Sequence, residues 1–571
     1  MRLQARLFGT AQPGAALTVT VARQGAYLAN VSATADAAGE WACLLPAMPA
    51  TVSVRGASTS YSLTASLDKT SQTQQLSDVV WGDVFVCSGQ SNMELPLSLV
   101  NNHTLELAAA AAFPWIRVAV VGGGCSSDSA RSTPSACSSD TPLRDTPTPL
   151  LLPWQRASPS ALGRDNNRSW GYFSATCWLT ARNVAQKLGP SVPLGLIGAY
   201  VSGTPVESWT PGLNPAEIDP QGHKSAVLYN AMIAPLSGMM IRCILWYQGE
   251  NNSYRGGNPE RWIKYATDFP LMIKRWREAW VNNSGQSALA HTPFGFVQIG
   301  PRDCTPDVDG QGHSTGAAEF YGGVRWAQTA FHYAVPNDKM PHVFMAVAAD
   351  LAEGYSPVLD LREGCVHFGD KQDVGRRLAL GVGKYVYGDD VSDAGPMVAS
   401  IELVAQAAAL LTVRFGTAAG PIEVRSSLLC QHRARSLRLC QHRTRSCAST
   451  TLTPVLTPPH SCCASTTLTP AFAQVRNTSG FEVSSNGKDY VAAPITAHDE
   501  SSVTLRVPPG LGIPSAAAVV SLRYILHDTP CINQSCAVYA SEGMRLPSPP
   551  LVANLPGHAG ADAVGWNMTK T

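Results

Sequence analysis

The chain lacks an excess of charge of either sign. Lys and Arg number 42 against 41 Asp and Glu, a formal net charge of +1 over 571 residues. That balance gives no electrostatic case for a nucleic-acid or acidic partner, and no basic run flanked by aromatics supplies one. Long apolar runs are missing too. The longest, Leu107 to Val121, is broken by Pro114 and Arg117, and a membrane span needs ~20 apolar residues. No apolar stretch follows Met1-Arg2-Leu3-Gln4-Ala5-Arg6, so the start does not read as a signal peptide. The 15 cysteines are an odd number, which leaves at least one without an intrachain partner.

A hydrophobic content of 45% is ample for packed cores, and the length suits roughly three or four domains of ~150 residues. Residues 1–77 read as a small β domain of sandwich type, with Thr18 to Ala22, Leu28 to Ala33 and Ser60 to Ser66 as short β-prone runs between Gly, Pro and Asp. From 78 to 394 the pattern is α/β. Val79 to Cys87, Leu194 to Tyr200, Ile241 to Tyr247, Phe294 to Ile299 and Val343 to Ala348 are continuous apolar runs of strand length. They alternate with helix candidates at Ala175 to Leu188, Ala226 to Gly238, Pro259 to Trp280, Gly316 to Ala334 and Val374 to Tyr387. This alternation predicts a parallel five-stranded sheet with helices on both faces, and a site at the carboxyl ends of its strands. Residues 395–571 are β-like again, most clearly at Ile401 to Val404, Leu410 to Phe415, Val503 to Val507 and Val519 to Ile525.

Two regions stand outside this pattern. Residues 122–168 are rich in Ser, Pro, Asp and Arg and read as a surface insertion. Residues 426–471 contain near-duplications: Leu429-Cys430-Gln431-His432-Arg433 recurs at Leu439 to Arg443, and Cys447 to Pro454 recurs at Cys463 to Pro470. The Cys-x-His pairs look like zinc ligands, but a zinc site needs four at compatible spacing. Duplication and disorder are the expectation here, with no metal and no cofactor.

The chemistry concentrates in Cys87-Ser88-Gly89-Gln90-Ser91-Asn92-Met93. A strand, a small-residue turn and then polar residues is the sequence form of an exposed serine nucleophile. Three further blocks follow in order: Gly203-Thr204-Pro205-Val206-Glu207-Ser208-Trp209, then Trp246-Tyr247-Gln248-Gly249-Glu250-Asn251-Asn252, then His367 with Asp370-Lys371-Gln372-Asp373-Val374-Gly375-Arg376-Arg377-Leu378. This ordered set resembles the sialate O-acetylesterases, a branch of the SGNH (GDSL-like) hydrolases, over most of the chain.

The resemblance implies an SGNH-type, flavodoxin-like sheet flanked by β-sandwich-like domains. It also implies a metal-independent serine esterase acting on an acetylated carbohydrate. Ser91 would be the nucleophile, in preference to Ser88, and His367 the general base, a role that an imidazole side chain suits. Phe368 stands where the family usually has Pro. The acid partner of His367 is expected at Glu363 or Asp360, with Asp350 and Asp370 as further candidates; a Ser–His dyad is the alternative. The oxyanion hole would draw on the backbone N–H groups of Ser91 and Gly203 and on a side-chain amide. Gln248 is preferred for the amide and Asn251 is second, because Asn251 also heads a sequon. Glu207, Trp209, Trp246 and Glu250 would line or brace the pocket, the tryptophans either as an aromatic wall for a sugar ring or as core.

Sequons at Asn30, Asn102, Asn167, Asn251, Asn282, Asn477, Asn533 and Asn567 suggest a secreted or lysosomal/vacuolar glycoprotein. So does the resemblance of Cys531 and Cys536 to a cysteine pair of the family's animal members, which implies a disulfide between them. The resemblance also suggests a first domain truncated at its start. Sialic acid is the family's named sugar, and acetylated xylan or another glycan is the alternative. A non-catalytic carbohydrate-binding protein and a lipid esterase are the rival readings. No apolar lid accompanies the motifs, which counts against long acyl chains.

Overall fold

The computed structural model describes residues 4–48, 60–68, 70–122, 150–163, 172–213, 225–253, 260–302, 320–352, 366–405, 410–416, 422–424, 480–486, 490–508, 519–525, 531, 536–541 and 546–555. At its centre is a seven-stranded sheet. Its strands are β1 (Asp83–Gly89), β2 (Ile116–Val121), β3 (Leu150–Arg156), β4 (Leu194–Tyr200), β5 (Cys243–Tyr247), β6 (Phe294–Gln298) and β7 (Val343–Val347). The spatial order is β7-β6-β5-β1-β4-β2-β3. All neighbours are parallel except β3, which runs antiparallel to β2 at one edge. β4 and β5 are buried along their whole length, as strands covered on both faces must be.

All five predicted strands lie side by side in this sheet, and the sheet extends beyond them. The predicted count of five is corrected by β2 and β3. β2 falls at the end of the apolar stretch interrupted by Pro114 and Arg117. β3 lies inside the region read as a surface insertion, where Pro153 and the polar end Gln155-Arg156 hid it. Its Arg156, with Arg117 of β2, pairs with Asp78. The first predicted strand also divides. Val79 closes an N-terminal strand, Thr73–Val79, and the central strand begins at Asp83, so the N-terminal sheet reaches past residue 77.

Helices cover both faces. On one, α1 (Ala175–Leu188) and α4 (Lys371–Val382) pack over Phe85, Cys87, Leu196 and Leu245. Ser174 caps α1 by accepting from Cys177 N, and Asp370 caps α4 by accepting from Asp373 N. A Cys87–Cys177 disulfide, absent from the sequence reading, ties β1 to α1. On the other face, α2 (Glu260–Ser284) brings Tyr265, Phe269, Trp276 and Trp280 onto Val86, Ile197 and Ile244. α3 (Phe320–Ala327) is shorter than predicted, within the described residues. The helix expected at Ala226 to Gly238 is present in irregular form, a π-helical stretch, Tyr229–Ile233, running into a 3-10 turn, Ala234–Leu236. Pro235 cannot continue an α ladder there.

The N-terminal sheet joins Ala26–Thr34, Ala16–Arg23, Tyr61–Leu67 and Thr73–Val79. Leu17, Val19 and Val21 alternate inward onto Cys43, Leu45, Tyr61 and Leu63, beside an Arg6–Thr10/Glu40–Leu44 ladder. At the C-terminal end, two four-stranded sheets and a ladder share one core with Val347 and Ala349 at the end of β7. The Cys531–Cys536 disulfide is present there. The 426–471 repeats lie outside the described residues. Among the described residues, no helix is long and apolar enough to cross a membrane.

Candidate active site

Register places three motifs at one level. Gly89, the last residue of β1, pairs with Tyr200 on one side and Tyr247 on the other. The loops after β1, β4 and β5 therefore leave the sheet together, beside the point where strand order reverses, which is the usual ligand crevice of an open α/β sheet. Gly89 has φ +141°, and a Cβ there would meet the Tyr247 carbonyl oxygen at 2.1 Å, so glycine is required at this crossing. Ser91 opens the short helical turn Ser91–Glu94.

The loops are joined by hydrogen bonds. Gln90 N donates to Tyr247 O at 3.0 Å, and Gln90 Oε1 accepts from Asn251 N at 3.2 Å. Ser202 donates through both N and Oγ to Glu94 Oε2, at 2.8 and 2.6 Å. Asn252 is a fully buried hub: its Oδ1 accepts from Val206 N and Gln248 Nε2, and its Nδ2 donates to Glu207 Oε2. The fourth block joins through Asn92, next to Ser91. Its Nδ2 donates to Glu250 Oε1 at 2.6 Å and to Val366 O, beside His367, at 3.0 Å. Ser91 and His367 are 6% and 7% exposed, so both are largely enclosed by the surrounding chain.

The two amide candidates separate clearly. Gln248 is fully buried and gives both amide hydrogens away, to Thr204 O at 3.1 Å and to Asn252 Oδ1 at 2.7 Å. Turning the amide over would set its oxygen against the Thr204 carbonyl, so this orientation is forced. The preference for Gln248 as the oxyanion donor is therefore corrected: its side chain braces the loops. Asn251 is partly exposed, donates through Nδ2 to Gly203 O at 2.6 Å, and accepts from Arg261. Gly203 is exposed, has φ +70°, and has nothing within 4 Å of where a Cβ would stand.

The aromatic wall is also corrected. Trp209 and Trp246 are fully buried, edge to face at 5.8 Å, and Trp246 packs on Phe269 and Trp276. Both belong to the core beneath α2, and Trp209 Nε1 is held by Thr204 Oγ1. Glu207 and Glu250 are braces. Glu250 is buried, and burial pushes its carboxyl above the ordinary value of 4.5, against the opposing bond from Asn92.

Of the acid candidates, Glu363 and Asp360 lie outside the described residues. Asp350 is engaged by Arg377 and Tyr539, and Asp370 by the cap of α4. Sequence reasoning did not single out Asn92 or Asn252, although each follows a motif residue as a short polar side chain. Among the described residues, no cluster of His, Cys, Asp and Glu could hold a metal ion.

Residues 152–292 match the family described as "Carbohydrate esterase, sialic acid-specific acetylesterase", and residues 464–555 match "Sialate O-acetylesterase C-terminal domain". Ser91 and His367 lie outside both stretches. The chain is similar to sialate O-acetylesterase from Homo sapiens, 33% identical over 419 residues covering 70% of this chain and 71% of that one. It is also similar to the Mus musculus protein of that name, 27% identical over 592 residues covering 96% and 91%. The crystal structure of XAC1771, a novel carbohydrate acetylesterase from Xanthomonas citri, superimposes with a TM-score of 0.65 at 22% identity, covering 97% of this chain and 96% of that one. With its loops converging on Ser91 and relatives matching along most of its length, this chain belongs to the sialate O-acetylesterase family.

Proposed function

We propose that the protein is a serine esterase that removes O-acetyl groups from acetylated sugars, with acetylated sialic acid as the first substrate to test. The observation that carries this reading is the convergence at Gly89. Three strand ends at one level deliver Ser91, Gly203 and Asn251 to one crevice, and Asn92 ties that crevice to the backbone beside His367. The SGNH-type reading of the fold is supported by the order of the five expected strands. Numbered along the chain among themselves, they stand as 2-1-3-4-5, the flavodoxin-like order.

In this scheme His367 takes the Ser91 proton as Oγ attacks the acetyl carbonyl. The tetrahedral oxyanion is met by the Ser91 and Gly203 N–H groups and the Asn251 amide. Collapse breaks the ester bond, and His367 returns the proton to the departing sugar hydroxyl. Water, deprotonated by His367, then attacks the acetyl-enzyme and releases acetate. Glu363 and Asp360 stay the candidates for orienting His367. The disulfides among the described residues support an oxidising, secretory location.

The test is acetate release from p-nitrophenyl acetate by the protein and by a Ser91→Ala variant of equal folded content. A fall of ~10³-fold or more is expected, followed by preference for acetyl over longer acyl esters. Equal rates in the two proteins would sink the nucleophile assignment.

A further inference from the structure

The segment that carries His367 is held at both ends by one buried ion pair. Before it, Asp350 follows the end of β7; after it, Arg377 sits within α4. Arg377 Nη1 donates to Asp350 Oδ1 at 2.6 Å and Nη2 to Oδ2 at 2.9 Å. Nη1 also donates to the carbonyl of Val347, the last residue of β7, at 2.6 Å. Their side chains are 3% and 0% exposed. A two-toothed guanidinium–carboxylate contact fixes orientation as well as distance. The carboxyl end of β7 and the body of α4 are thus locked together, and His367 lies between them in the chain.

A third group comes from far along the chain. Tyr539, in the C-terminal strand Val538–Ala540, donates its hydroxyl to Asp350 Oδ2 at 3.0 Å and is itself fully buried. Cys536 N donates to that same hydroxyl at 3.2 Å, and Cys531 lies against Ala349 O. Val347 and Ala349 are part of the C-terminal core. The C-terminal β unit therefore reaches the strand end that leads to the catalytic loop, and does so through a charged, directional contact.

We propose that Tyr539 is a positioning residue for His367, acting through the Asp350–Arg377 pair, so that the C-terminal β unit sets the alignment of the general base. This rests on the reading of His367 as that base. Tyr539 touches no reacting atom; it fixes the carboxylate that fixes the helix and strand on either side of the histidine. Small misplacements of a catalytic group cost rate more than substrate affinity.

The test is Tyr539→Phe in the full chain, with kcat and KM on p-nitrophenyl acetate. Tyr524→Phe is the control. It removes a buried hydroxyl of the same β unit, one that accepts from Val538 N at 3.1 Å and is not hydrogen-bonded to Asp350. Tyr539→Phe is expected to lower kcat about tenfold with KM within about twofold, while Tyr524→Phe keeps the parent kcat. In a His367→Ala background, Tyr539→Phe should add no further loss, because the two act through one group. A parent kcat in Tyr539→Phe, an equal loss in Tyr524→Phe, or a loss that multiplies that of His367→Ala would overturn the proposal. So would Tyr539→Phe failing to fold where Tyr524→Phe folds. His367→Ala at the parent rate would instead remove the catalytic reading beneath it.

Discussion

The two sides of the site are held together in different ways. On the Ser91 side, Gln90, Gly203, Gln248, Asn251 and Asn252 bond to one another across the ends of adjacent strands. On the His367 side the chain leaves β7, an edge strand with a neighbour on one side only, and its alignment comes from Arg377 and Tyr539. Motifs on neighbouring central strands carry their own geometry. A residue that follows an edge strand has to be aligned by something outside it. Asn92 is the seam, bonded at once to Glu250 of the first side and to Val366 of the second.

The comparison can be broken first at the Ser91 side. Asn251→Ala should lower kcat by ~10²–10³-fold, the usual cost of removing an oxyanion donor. Gln248→Ala should act mainly on thermal stability, since its amide hydrogens are spent on Thr204 and Asn252. Steady-state kinetics and melting curves on the two variants separate these effects, and the reverse pattern would return Gln248 to the chemistry. Next in size is the Cys87–Cys177 bridge, which pins the nucleophile strand to α1 across a sequence separation of 90. Replacing both cysteines by alanine should cost about 2–5 kcal/mol in denaturant unfolding. No change would mean the bridge is dispensable to the Ser91 side.

The smallest effect sharpens the seam. Glu250 has its carboxyl raised by burial, so the folded state holds its proton more tightly than the unfolded chain. Stability from this group is complete below 4.5 and is lost as pH rises through the folded value. Glu250→Gln keeps an acceptor for Asn92 and removes that loss. It should raise Tm at pH 7 by about 1–2 °C and make the pH–stability curve flatter. A lowered Tm at neutral pH would mean the carboxylate stabilises the seam.

How much was legible in the sequence follows the same division. The five strands announced themselves because their runs are almost wholly apolar, with Asp83, Arg242 and Gln298 as the polar exceptions. The glycine turns and motif blocks fell at their ends, and the Cys531–Cys536 bridge formed as the family resemblance implied. β3 was hidden because an edge strand with Pro153, Gln155 and Arg156 reads as a loop. Trp209 and Trp246 misled because an aromatic beside a motif can face either side of the sheet, and only the packing of α2 decides it. Gln248 ranked above Asn251 because the sequence does not show that Thr204 O and Asn252 Oδ1 take the Gln248 hydrogens. The anchor on Asp350 joins residues from three distant stretches of the chain, and no local pattern signals it.

The most direct test of the account is to quench the protein in acid during turnover of an acetyl ester, digest it, and locate the acetyl group by mass spectrometry. The account predicts one acetyl on the peptide carrying Ser91-Asn92-Met93, assigned to Ser91 and absent from the Ser91→Ala protein. An acetyl on Ser88 or elsewhere, or full acetate release by Ser91→Ala, would contradict it.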